Sequence, residues 1–182
     1  MDALVVFESI FGNTREVARA IAEGLRSNPE IDELVLAEVG EAPASARGFG
    51  LVVIGGPIHV WTMTRLATRE SAREDAQRER LDPPSKGEGI REWIERLPRA
   101  RGRILAAAFD TAIQMKWFPT GSAARPAAAR LKRRAFKLIA RPEHFFVIGS
   151  LGPLVEGELA RARAWGAGLR LDFTDSERLG VG

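Results

Sequence analysis

The chain contains no cysteine and no tyrosine, and its only two histidines are His59 and His144. The lack of cysteine excludes disulfides, thiolate metal sites, iron–sulfur clusters and cysteine nucleophiles. Two histidines are too few for a histidine-rich centre, so the sequence points to no metal. No apolar run approaches the roughly 18–20 residues that a membrane helix needs. Residues 1–7 (MDALVVF) lack the basic start of a signal peptide. The expectation is a cytoplasmic protein with no membrane span. Acidic residues are missing from one long stretch. Arg125, Arg130, Lys132, Arg133, Arg134, Lys137 and Arg141 follow one another with no acid between them. Such a run suits a polyanion or, more commonly, a solvated helix face. It holds no recognisable nucleic-acid motif, and the apolar residues within it fit a helix packed on a sheet. No nucleic-acid partner is expected.

What is present fits one sizeable core. At 182 residues the chain is short for two domains. Residues 1–182 read as one domain with a frayed tail over 172–182. Residues 3–7 form a continuous apolar run, the pattern of a strand buried on both faces. Val17, Ala18, Ile21, Ala22 and Leu25 recur at helical spacing and predict a helix over 14–26. Similar patterns predict strands over 33–39, 50–54, 103–109 and 144–148, and helices over 86–97, 122–137 and 155–171. This alternation implies an α/β fold, a five-stranded parallel sheet with helices on both faces. Residues 64–85 break the alternation. They are charged and arginine-rich, contain Pro83 and Pro84, and show no clear apolar face. They read as a surface excursion with room for one short helix.

In such folds ligands bind outside the carboxyl ends of the strands. The loop after the first strand combines three features that suit a phosphate. The helix start offers free N–H groups and a positive dipole end. Ser9, Asn13 and Thr14 add side-chain donors, and Gly12 lets the backbone turn closely. A plain helix cap with a tight turn would use the same residues. Ser9-Ile10-Phe11-Gly12-Asn13-Thr14 resembles the phosphate loop of the flavodoxin family: a hydroxyl residue, two variable positions, then Gly-Asn-Thr. In element order the resemblance runs from Ala3 to about Leu171. It implies strand order 2-1-3-4-5 and FMN as cofactor.

The resemblance places Pro57, Ile58, His59, Val60 and Trp61 against the isoalloxazine ring. Backbone groups would meet the pyrimidine edge and N5, with Trp61 or His59 stacked on one face. A core or interface role is the alternative for Trp61. Phe109, Asp110 and Thr111 are placed after the fourth strand, at the ring edge or ribityl chain; Asp110 alternatively caps a loop. No residue is assigned a catalytic role. Residues 112–121 (AIQMKWFPTG) set Met115, Trp117 and Phe118 beside this site, as a cover, a substrate or partner seat, or a satellite apolar cluster.

Four departures from the family pattern carry information. Phe11 stands where flavodoxins usually have a hydroxyl. No tyrosine exists to stack on the outer ring face, so Trp117 or Phe118 replaces it or the face stays open. The chain is basic where small carriers are acidic, so a protein partner would be acidic, or the partner is a small molecule. No glycine lies between Pro57 and Thr62, which implies two-electron chemistry. The expectation is an FMN-binding redox protein. It either transfers electrons to a partner protein or reduces a small acceptor such as a quinone with NAD(P)H. The alternative is a flavin-free binding or regulatory module on the same fold.

Overall fold

The computed structural model describes residues 1–81, 85, 87–100, 103–115 and 121–171. The expectations for Pro83, Pro84, Trp117, Phe118 and the tail from 172 fall outside these residues. Strands β1 (Ala3–Phe7), β2 (Leu34–Glu38), β3 (Leu51–Pro57) and β4 (Leu105–Ile113) are parallel, in the order β2-β1-β3-β4. Beyond β4 lie two short parallel pieces, β5 (Lys137–Leu138) and β6 (Glu143–Val147). Ala106 pairs with Leu138, but Phe109 pairs with Glu143. Four residues, 139–142, therefore face only Ala107 and Ala108, and Pro142 has no N–H to give. The fifth position of the sheet is thus a strand interrupted by a bulge. The expected order holds, but the sheet has six strands, and the fifth position is entered at Lys137 instead of His144.

Alternating side chains build two cores. Leu4, Val6, Val52, Ile54, Ala106 and Ala108 face α3 (Ile90–Arg96) and α4 (Ala124–Arg133) through Trp93, Leu97 and Leu131. Ala3, Val5, Val53, Ala107 and Phe109 face α1 (Asn13–Arg26) and α5 (Glu158–Ala167) through Val17, Ile21, Leu25 and Ala162. Burial on both faces is what the continuous apolar runs encode.

The excursion contains α2 (Leu66–Arg78). Its buried residues are Arg69, Ala72 and Ala76, too small and too polar to show as an apolar face. Ile10 packs on Ala72 and Ala76, so α2 lies over the loop that follows β1. A buried polar chain holds it there. Arg69 is 2% exposed, pairs with Glu92 at 3.1 Å and donates to Thr64 Oγ1 at 3.1 Å. Thr64 donates to Glu8 Oε1 at 2.6 Å, and the Ile90 N–H donates to Glu8 Oε2 at 3.0 Å. Burial pushes the Glu8 carboxyl up against the lowering effect of these bonds and of Arg69.

Helices α3, α4 and α5 are all shorter than expected, α5 spanning Glu158–Ala167 where 155–171 was expected. Helix α3 starts at Ile90, not Lys86, because Glu92 Oε2 accepts the Gly89 N–H at 2.9 Å and caps the helix there. Helix α4 ends at Arg133, because Ala135 turns left-handed (φ 62°) and the chain re-enters the sheet. Part of the basic run is structural. Arg130 pairs with Glu95 at 3.4 Å, and Arg134 donates to the carbonyls of Leu97 and Glu95. Among the described residues no helix is long and apolar enough to cross a membrane.

Candidate functional site

The loop after β1 enters α1 through Gly12, whose φ of 91° is left-handed. A Cβ there would meet nothing closer than Arg15 at 3.8 Å, so it is backbone conformation, not crowding, that calls for glycine. No side chain caps α1. Asn13 instead donates to the Leu151 carbonyl at 3.2 Å. Thr14 shares a buried 2.8 Å hydrogen bond with Thr111. Among the described residues, the N–H groups of Ile10, Phe11, Gly12, Asn13 and Thr14 donate to no protein acceptor. Ser9 Oγ is buried and has no partner among the described residues. A helix N-terminus with free amides and an orphaned hydroxyl is an anion seat. The Ser9 N–H is already spent on Ser85 Oγ at 2.8 Å, and the Ser85 N–H returns to the Ser9 carbonyl at 2.9 Å. Ser85 thus belongs to this loop, though nothing in its sequence neighbourhood signals it.

After β3 the chain makes a tight hairpin. His59 and Thr62 exchange both backbone hydrogen bonds, at 2.9 and 3.1 Å. Between them Val60 and Trp61 both have positive φ, 47° and 68°. Both central residues of a type I′ turn require this, which normally selects Gly or Asn. A β-branched residue in this region is strained. Val60 is 72% exposed, so it loses little packing when replaced. Val60→Asn is expected to raise stability by about 1 kcal/mol in urea unfolding; an unchanged or lower midpoint would mean the turn is not strained. Trp61 is 57% exposed and is no core tryptophan; its carbonyl accepts the Ser122 N–H at 3.1 Å. His59 lines the cleft described below, and burial lowers its pKa, against a nearby Asp75 that raises it. Burial thus favours its neutral imidazole.

Residues 109–111 lie inside β4, not in a loop after it. They pair with Gly55, Gly56 and Pro57 of β3, and the alternation of the strand decides their roles. The Phe109 ring points into the α1/α5 core, against Phe145 and Trp165. Asp110 points to the opposite face. It is fully buried and accepts from Ser122 Oγ (3.0 Å) and from the N–H groups of Ala123 and Ala124 (2.8 Å each), capping α4. Its other oxygen meets His144 Nδ1 at 2.6 Å. Only Thr111 of the three turns its side chain to the loop after β1.

These pieces enclose a cleft of about 210 Å³ at the carboxyl edge of the sheet. Ser9, Ile10, Phe11, Asn13, Thr14, Pro57, Ile58, His59, Val60 and Thr111 all line it. Trp61, Phe109, Asp110 and Gly12 are not in its wall. Among the described residues Ile113, Val147 and Ser150 also line it; Ile113 lies in the stretch 112–121 set beside the site above, and Val147 and Ser150 escaped the sequence reading. The Gly-Ser pair at 149–150 marks a loop, but only the pairing of β6 with β4 brings that loop over Asn13.

No protein-family model matches the chain, and no curated protein matches its sequence. Solved structures match its fold. A flavodoxin from the domain Archaea aligns with a TM-score of 0.61 at 17% identity, over 92% of this chain and 94% of that one. Flavodoxin 1 from Bacillus cereus gives the same score and identity, over 92% and 95%. A flavodiiron core from Synechocystis sp. aligns at 0.58 and 12% identity, over 92% of this chain but 34% of that one. The chain has the flavodoxin-like α/β fold.

Proposed function

We propose that the protein binds FMN and works as a redox protein. It passes electrons to a partner protein or takes part in NAD(P)H-linked reduction of a small acceptor such as a quinone. The observation that carries this reading is the head of α1: a buried Ser9 hydroxyl without a partner and five backbone amides without an acceptor among the described residues. These groups suit a dianionic phosphate without any lysine. Thr14 and Thr111 add hydroxyls at the next depth, and the backbone from Pro57 to Val60 walls the far side. Bound FMN would supply the electron and hydride chemistry; the chain supplies its seat, its orientation and a neutral His59 beside it. The solved structures of similar fold include proteins described as flavodoxins, which supports a flavin at this edge.

The test is the visible spectrum of the protein after addition of FMN and desalting. Retained flavin bands are expected. Ser9→Ala removes one donor to a charged group and should weaken FMN binding about tenfold to a hundredfold. Its melting temperature should hardly change, because the hydroxyl has no protein partner to lose. Equal FMN affinity in the variant would remove Ser9 from the site.

A second reading, a flavin-free module, draws on the two donors already spent within the chain: Ser9 N–H on Ser85 and the Asn13 amide on Leu151. It predicts a protein that stays colourless after the same treatment.

A further inference from the structure

Next to the cleft lies a second, larger chamber of about 450 Å³, within the roughly 300–1,000 Å³ of small-molecule sites. Phe11, His59, Val60 and Ser150 line both, so the two adjoin. The outer wall of the chamber is α2, the helix that the simple strand–helix alternation lacks. This wall is fixed. The Glu8–Thr64–Arg69–Glu92 chain pins it to β1 and α3, and Ala72 and Ala76 seat it on Ile10.

We propose that the chamber walled by α2 is a second binding site, for an uncharged planar small molecule bearing carbonyl or hydroxyl groups. Its role as a seat for the acceptor rests on the FMN reading; its existence as a site does not.

Charge decides the ligand class. Among the described residues of the lining the one cation, Arg78, is already paired with Asp75 at 2.6 Å. Glu79 adds a second carboxylate, so the described part of the charged lining sums to net negative. Burial disfavours the charged form of His59. A phosphate or carboxylate ligand would meet repulsion here, whereas the neighbouring cleft offers it free amides. A nicotinamide dinucleotide, with two or three phosphates, does not suit the chamber. A neutral ring does: Phe11, Ala72 and Leu151 give it apolar contact, and Ser71, Ser150 and His59 give its oxygens partners.

The experiment is calorimetric titration with 1,4-naphthoquinone and with its anionic 2-sulfonate, on FMN-loaded protein and on FMN-free protein. The neutral probe should bind with one-to-one stoichiometry, at least about tenfold tighter than the sulfonate. Ser71→Trp places a bulky ring in the chamber from an exposed helix position. It should weaken the neutral probe at least about tenfold and leave FMN affinity unchanged. Glu79→Lys, also exposed, should narrow the gap between the two probes by about tenfold. No saturable binding, equal affinity for both probes, or a Ser71→Trp variant that binds like the wild type would each overturn the proposal. Failure to retain FMN would defeat the redox reading alone, since the probes and variants are also read on FMN-free protein.

Discussion

Replacing Asp110 with alanine should destabilise the protein by about 3–4 kcal/mol in urea unfolding. The carboxylate is fully buried and accepts from three donors at the head of α4, while His144 takes its other oxygen. Its removal leaves the Ala123 and Ala124 amides without an acceptor, while the Ser122 hydroxyl keeps only the Arg125 N–H that donates to it. Asp110→Asn should cost less, since one amide oxygen still accepts from α4. The asparagine variant also isolates the charge. The His144 pKa is raised, first by its hydrogen bond to Asp110, with burial opposing. A histidine whose folded pKa is raised stabilises the fold fully below its usual value of 6.5, and that contribution is lost as pH climbs through the folded pKa. The wild type should therefore lose stability as pH rises above 6.5, and Asp110→Asn should not. A pH profile with the same slope in both proteins would show that the pair carries no linkage. FMN affinity should change little in Asp110→Asn, because the carboxylate faces α4 and not the cleft.

Phe109→Ala should cost about 3–5 kcal/mol, the range for deleting a fully buried aromatic ring. The ring sits edge-on to Phe145 and Trp165, with centroids 6.1 and 6.4 Å away. It also covers Gly55, where any Cβ would overlap it. Both contacts are core packing within the α1/α5 layer. The expected result is a large drop in melting temperature with FMN affinity kept while the protein is folded. A stable variant that has lost FMN would place Phe109 in the cofactor site after all.

These two residues show where reading the sequence stops. A motif locates a strand end to within a few residues, and Phe109 and Asp110 sit where the apolar run of β4 ends. Whether they continue the strand depends on neighbours: Gly55, Gly56 and Pro57 on one side carry the ladder to Thr111, and residues 143–147 on the other extend it to Ile113. Once the strand continues, alternation sends Phe109 into one core and Asp110 to the other face, and leaves Thr111 for the loop. The same limit applies to α2. Two alanines and a buried arginine carry no periodic apolar signal, yet they seat the helix that closes the chamber. Nor does Val60-Trp61 look like a turn, because neither residue favours the left-handed region that the hairpin imposes on both.

What the sequence determined by itself was local and periodic. Continuous apolar runs made strands buried on both faces, helical spacing in α1 fixed its inner face, and Gly12 marked the first strand-to-helix turn. Tertiary structure alone decided what depends on partners distant in the chain. It put Ser85 on the Ser9 amide, Leu151 on Asn13, and Asp110 beneath α4. It also left Ser9 Oγ buried without a partner. The reason is physical: periodicity reports which face of an element is buried, whereas a hydrogen bond between residues 76 or 138 positions apart exists only once the sheet has set their distance.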